Sequence, residues 1–159
     1  MAYIFDFSSV WEYRDYLVNG VLGTLRLTAV GTVAGLAVGI LGAVSRAWRL
    51  PVLAQVVGVY VELIRNTPFI VQLFFVFFGL PGLGVQLTEW QAAMLAMVIN
   101  LGAYSTEIIR AGVEAVPKGH IEAALALAMS RFQVFRHVVL RQALLKIWPS
   151  LSSQIVIVM

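Results

Sequence analysis

The chain has 159 residues, of which 60% are apolar and only 12% charged, with a formal net charge of +3. Soluble domains carry charge on roughly a quarter of their residues, so this composition excludes the ordinary soluble classes and leaves a membrane protein with room for three or four spans of about 20 residues. The absence of cysteine excludes a disulfide framework, a thiolate nucleophile and a cysteine-based metal site, and basic residues placed beside apolar spans exclude a nucleic-acid partner.

Residues 1–16 intersperse Phe5, Phe7, Trp11, Tyr13 and Tyr16 with Asp6, Glu12 and Asp15, the pattern of an interfacial segment on the periplasmic side. A secretory signal would be basic where these acids stand, so the first span, 17–44, is expected to stay in the membrane. Gly31, Gly35 and Gly39 recur there every fourth residue, which permits close helix contact, although glycine is also simply common in membrane helices. Arg26 either snorkels to the interface or lines a polar path.

After the basic loop 45–50, Pro51 suits the first turn of a helix ending at Arg65, with Glu62 and Arg65 spaced i, i+3 for an ion pair. Thr67 and Pro68 are predicted as the N-cap and first residue of the next helix. The second span, 52–80, is therefore interrupted at Pro68, and such a break lets backbone groups face a cavity. The twelve residues 69–80 cover only about 18 Å, so the helix before the break must supply part of the crossing.

Thr88 and Gln91 form a capping-box pattern that opens the third span, 89–110. Asn100, Tyr104 and Glu107 fall on one face of it and make a candidate solute path. In the alternative, Asn100 and Ser105 bond neighbouring helices and Glu107 pairs with Arg110 at the water interface.

The segment 111–142 is polar and basic. Helix formers fill 121–129, a turn follows near 128–130, and Ser130 with Gln133 repeats the capping-box pattern. A second amphipathic helix with Phe132, Phe135, Val138 and Val139 on its apolar stripe leads into the last span, 143–159, which Pro149 interrupts. Two short helices at an angle make a knob suited to docking into a groove of another protein.

Spans alternate sides. One side holds Arg14 alone among basic loop residues; the other holds Arg46, Arg49, Arg65, Arg110, Lys118, Arg131, Arg136, Arg141 and Lys146. Nine against one places the N-terminus outside and 111–142 in the cytoplasm. The chain has no phosphate-binding loop, no histidine pair at ligand spacing and no nucleophile elbow, so it is expected to be no enzyme, to hold no metal and no cofactor, and to act by binding and movement.

Three stretches resemble the membrane subunits of ABC-type importers, and within them the polar amino-acid permease family. Glu122, Ala123, Ala124, Met129, Ser130, Gln133, Phe135, Leu140, Gln142 and Ala143 match the EAA loop, RNTPFIVQLFF at 65–75 matches the family's second span, and AYSTEIIRAG at 103–112 matches the approach to the loop. Two positions depart. Ala128 replaces the usual glycine, at a cost of about 1 kcal/mol if that residue takes a positive φ; Arg141 replaces the usual proline, which lets the second helix run on unbroken. The resemblance implies an all-α type I ABC importer transmembrane domain of the inner membrane, with four spans present of the usual five. It implies a separate ATP-binding cassette dimer docked on Glu122, Ala123, Ala124, Ala126, Ala128 and Ser130, a second permease subunit of the same or homologous sequence, an extracytoplasmic solute-binding protein and a polar amino acid as substrate. An ion-coupled carrier or a non-transporting scaffold, with Glu107 or Arg26 as its coupling or assembly charge, is the competing class.

Overall fold

The computed structural model describes residues 7–48 and 50–159, and every regular element among them is helical. The helices are α1 (Ser8–Glu12), α2 (Arg14–Ala47), α3 (Pro51–Arg65), α4 (Phe69–Gly82), α5 (Glu89–Glu114), α6 (Lys118–Ala126) and α7 (131–158). Of the N-terminal aromatic segment, Phe5 and Asp6 lie outside the described residues, as does Arg49 of the basic loop. Two helices, α2 and α5, are long and apolar enough to cross a membrane, and α3 with α4 makes a third if the bent pair is one span. The predicted last span does not reach that standard, because Leu140–Val158 contains Arg141, Lys146, two glutamines and three serines.

The α2–α5 pair is the most extensive packing in the molecule. Gly31, Gly35 and Gly39 are buried against it. A Cβ on Gly31 would lie 2.6 Å from Met97 Sδ and one on Gly35 2.9 Å from Leu101 Cβ, while Gly39 abuts Ser105 and Gly42 abuts Thr106. Met97, Leu101 and Ser105 recur every fourth residue, so one helix's glycine stripe receives the other's side-chain row. The close-contact reading of the spacing therefore holds.

Between α3 and α4 the chain turns by 108°. Thr67 does not cap α4 as predicted. Its hydroxyl donates to the Leu63 carbonyl at 2.7 Å, closing the end of α3, and Pro68 occupies the N-cap of α4. Pro149 does not interrupt α7 either: helix Leu140–Val158 runs through it, held by Ala143, Ile147, Gln154 and Val158, which are buried. Side-chain packing outweighs the one backbone bond that proline removes. With no proline at Arg141, α7 is continuous from its N-cap Ser130 through a π-helical turn at Phe135–Val139, as expected.

Candidate functional site

Two regions bear on function: the helix-turn-helix formed by α6 and the start of α7, and the polar tract where α3 breaks against α5.

The first is built as read. The Ser130 hydroxyl accepts from the Gln133 N–H at 3.3 Å, and Gln133 Oε1 accepts from the Ser130 N–H at 2.8 Å, a complete capping box. The turn before it is a Schellman motif, with Met129 N–H on the Ala124 carbonyl at 3.3 Å and Ala128 N–H on the Leu125 carbonyl at 3.0 Å. That geometry needs a left-handed residue, and Ala128 supplies it at φ 59°. An L side chain is strained there.

Val116, Ala124, Val134, Val139, Ala143 and Ile147 form a small core beneath this unit. His120 and Gln142 are joined at 2.9 Å, and the Lys146 ammonium donates to the Ala115 carbonyl at the end of α5. The unit is thus fastened to both α5 and α7. Glu122, Ala123, Ala126, Ala128 and Ser130 are exposed; Ala124 is not. Three-to-four-residue periodicity turns Ile121 and Ala124 toward the protein's own core, so Ala124 shapes the unit from inside and does not belong to its outer surface. Leu127 and Phe132 of the same unit are instead 78% and 69% exposed.

In the second region the predicted stripe on α5 divides its partners. Asn100 is buried; its Nδ2 donates to Gln72 Oε1 at 3.0 Å and its Oδ1 accepts from Gln154 Nε2 at 3.3 Å. Gln72 Nε2 donates in turn to the Ile64 and Thr67 carbonyls, each at 2.8 Å. This amide chain ties α7, α5 and α4 to the carbonyls that the break releases. Neither Gln72 nor Gln154 was singled out in the sequence, although a glutamine inside FIVQLFF was the available signal. Ser105, expected to bond a neighbouring helix, has a buried hydroxyl with no partner among the described residues and serves as a small packing residue instead.

Glu107 pairs with Arg110 as the alternative reading had it, and also with Arg46 of α2 at 3.0 Å; Arg110 reaches Glu114 as well. A carboxylate so held is not free to act as a coupling charge. The expected Glu62–Arg65 pair does not form. The Arg65 guanidinium lies 5.6 Å from the centroid of the Tyr104 ring, drawn there by the ring's negative face. Arg65 and Tyr104 line three cavities of about 410, 440 and 430 Å³, which also take in Glu107, Asn100 and Gln154. Among the described residues no group of histidines and acids is placed to hold a metal ion.

Residues 31–159 match the family of binding-protein-dependent transport system inner membrane components. The glutamine transport system permease protein GlnP of Escherichia coli (strain K12) is 36% identical over 155 residues, an alignment covering 96% of this chain and 71% of that protein. Among solved structures, an amino acid ABC transporter crystallised with histidines is similar with a TM-score of 0.86 and 34% identity, over 98% of this chain and 72% of that one. The inward-facing MetNI methionine ABC transporter is similar with a TM-score of 0.64 and 27% identity, over 89% of this chain and 69% of that one.

Proposed function

The chain belongs to the family of binding-protein-dependent transport system inner membrane components, and from that premise we propose that it is the permease subunit of an ATP-driven importer for polar amino acids. The observation that carries the reading is the likeness to amino-acid importers over nearly the whole chain, joined to a helix-turn-helix whose outer face is left unpartnered.

A separate ATP-binding cassette dimer docks on the face of α6 and the following turn that presents Glu122, Ala123, Ala126, Leu127, Ala128 and Ser130. The two small alanines allow close approach, and Glu122 offers a carboxylate to a basic groove. Force on this knob passes to α7, because α6 and the turn pack on Val134, Val139, Ala143 and Ile147 of that helix, which also carries Gln154. Gln154 reaches through Asn100 to Gln72 at the break, so movement of α7 bears on the groups lining the Arg65–Tyr104 cavities. The ATPase must bind the outward- and inward-facing states with different affinity for hydrolysis to do work. A second permease subunit completes the path, and an extracytoplasmic binding protein delivers the substrate.

The basic-residue asymmetry supports a periplasmic N-terminus and a cytoplasmic α6. Arg65, counted with the cytoplasmic side from sequence, sits instead at the helix break against Tyr104; eight against one leaves the orientation unchanged.

The test is ATP-driven uptake of L-glutamine into vesicles by the permease reconstituted with its ATPase and binding protein, comparing the natural chain with Glu122→Arg. Uptake in the first, with loss of uptake and of ATPase co-purification in the second, is the expected result. Uptake driven by membrane potential without ATP, or an unimpaired variant, would overturn the transport reading or the docking surface respectively.

A further inference from the structure

Tyr104 stands 15 residues after Glu89 and six before Arg110, about 22 and 9 Å along α5, so the Arg65 guanidinium over its ring lies toward the Glu107–Arg110 end of the span. Charges inside a span are normally paired. Nearby, Arg46, Glu107, Arg110 and Glu114 satisfy one another. Arg65 lies within electrostatic reach of Glu107 but within ion-pair distance of no carboxylate among the described residues, and Glu62, one turn earlier on the same face of α3, is within ion-pair distance of no described cation. Both line the cavity of about 430 Å³. The only other charged groups on its wall are Arg46 and Glu107, already joined. The cavity therefore presents a carboxylate and a guanidinium that no ion pair among the described residues joins, both exposed and one turn apart on α3.

We propose that Glu62 and Arg65 form the headgroup subsite of the translocation path, Arg65 taking the α-carboxylate and Glu62 the α-ammonium of a zwitterionic amino acid. This rests on the permease reading and specifies where its substrate is held. A guanidinium suits the task because its planar fork donates two parallel hydrogen bonds to a carboxylate. The Tyr104 ring, 5.6 Å from the guanidinium carbon, restrains Arg65 before substrate arrives, which lowers the ordering cost of binding. A zwitterion also neutralises both charges at once, so neither side chain is left unpaired in the loaded site. The adjoining cavity of about 440 Å³ shares Arg65 and Tyr104 and is lined by Asn100 and Gln154, giving the substrate side chain a polar space.

The experiment measures binding of radiolabelled L-glutamine to the full permease–ATPase complex in lipid nanodiscs, beside ATP-driven uptake by the same complex with its binding protein in vesicles. In the unmodified complex, L-glutamine α-amide and N-acetyl-L-glutamine should each compete at least about tenfold more weakly than L-glutamine, the worth of one charge-assisted contact. Arg65→Gln should weaken binding by a similar factor and abolish discrimination against the α-amide alone. Glu62→Gln should abolish discrimination against the N-acetyl compound alone, and Arg65→Lys should restore part of the affinity. A residue that only supported the fold would not exchange one analogue preference for the other. Equal competition by all three compounds in the unmodified complex overturns the subsite without any variant being needed. So does unchanged affinity and preference in both glutamine variants, or uptake with no saturable binding. Absence of ATP-driven uptake by the unmodified complex overturns the permease reading itself.

Discussion

Asn100 on α5 donates a 3.0 Å hydrogen bond to Gln72 on α4, and Gln72 uses its own amide N–H groups to hold the Ile64 and Thr67 carbonyls at 2.8 Å. One side chain thus supplies donors to the broken end of α3 and an acceptor to α5. Replacing Gln72 with Leu keeps the volume and removes all three bonds. Interhelical bonds in membranes contribute modestly, so the loss is expected to be about 2 kcal/mol, or a thermal midpoint lowered by about 5 °C in detergent. An unshifted midpoint would mean that water or lipid replaces Gln72 at the break.

Gly35 is expected to tolerate no side chain. A Cβ there would stand 2.9 Å from Leu101 Cβ, and Gly35→Leu should destabilise the chain by about 3 kcal/mol as α2 is pushed off α5. Gly20, on the same helix with open space around it, is the control: Gly20→Ala should be neutral or stabilising by up to about 1 kcal/mol. Thermal unfolding of the two variants side by side separates interface packing from general helix propensity. Equal effects would remove the special role of the glycine stripe.

Ala128 holds a φ of 59° that glycine adopts freely. Ala128→Gly is expected to stabilise the helix-turn-helix by about 1 kcal/mol and to slow amide exchange at Met129, whose N–H closes the turn on Ala124. Faster exchange would show that the alanine is accommodated without strain.

Glu107 sits between Arg46 and Arg110, with about a fifth of its side chain exposed. Glu107→Gln leaves Arg46 without a carboxylate and Arg110 with Glu114 alone, and is expected to lower stability by about 2 kcal/mol, with part of the loss recovered at high salt. Arg46→Gln should cost less, because Arg110 still satisfies the carboxylate. A Glu107→Gln chain of unchanged stability that nonetheless fails to transport would point to a coupling charge rather than a clamp.

Local rules read well from the residues. The Thr88–Gln91 and Ser130–Gln133 capping boxes formed as spaced, since a cap depends on four consecutive residues and little else. The glycine stripe, the Glu107–Arg110 pair and the uninterrupted run through Arg141 follow from the same short-range geometry. Of the readings that failed, one lost to a partner distant in sequence and another to a competing partner a single turn away. Glu62 and Arg65 have the spacing of an ion pair, yet the ring of Tyr104, 39 residues on from Arg65, claims the guanidinium. Thr67 has the composition of a cap, yet the nearer Leu63 carbonyl takes its hydroxyl.

By itself the sequence determined the membrane class, the helical periods, the caps and the family, because each is written in composition or in spacings shorter than two helical turns. Only the tertiary structure decided which partner each polar residue takes. Gln72, Asn100 and Gln154 are scattered over 82 residues and meet only when three helices pack, while Glu62 and Arg65 are adjacent on one helix and do not meet at all. The reason is physical: a buried polar group takes the best partner that packing brings within about 3 Å, whatever its distance along the chain.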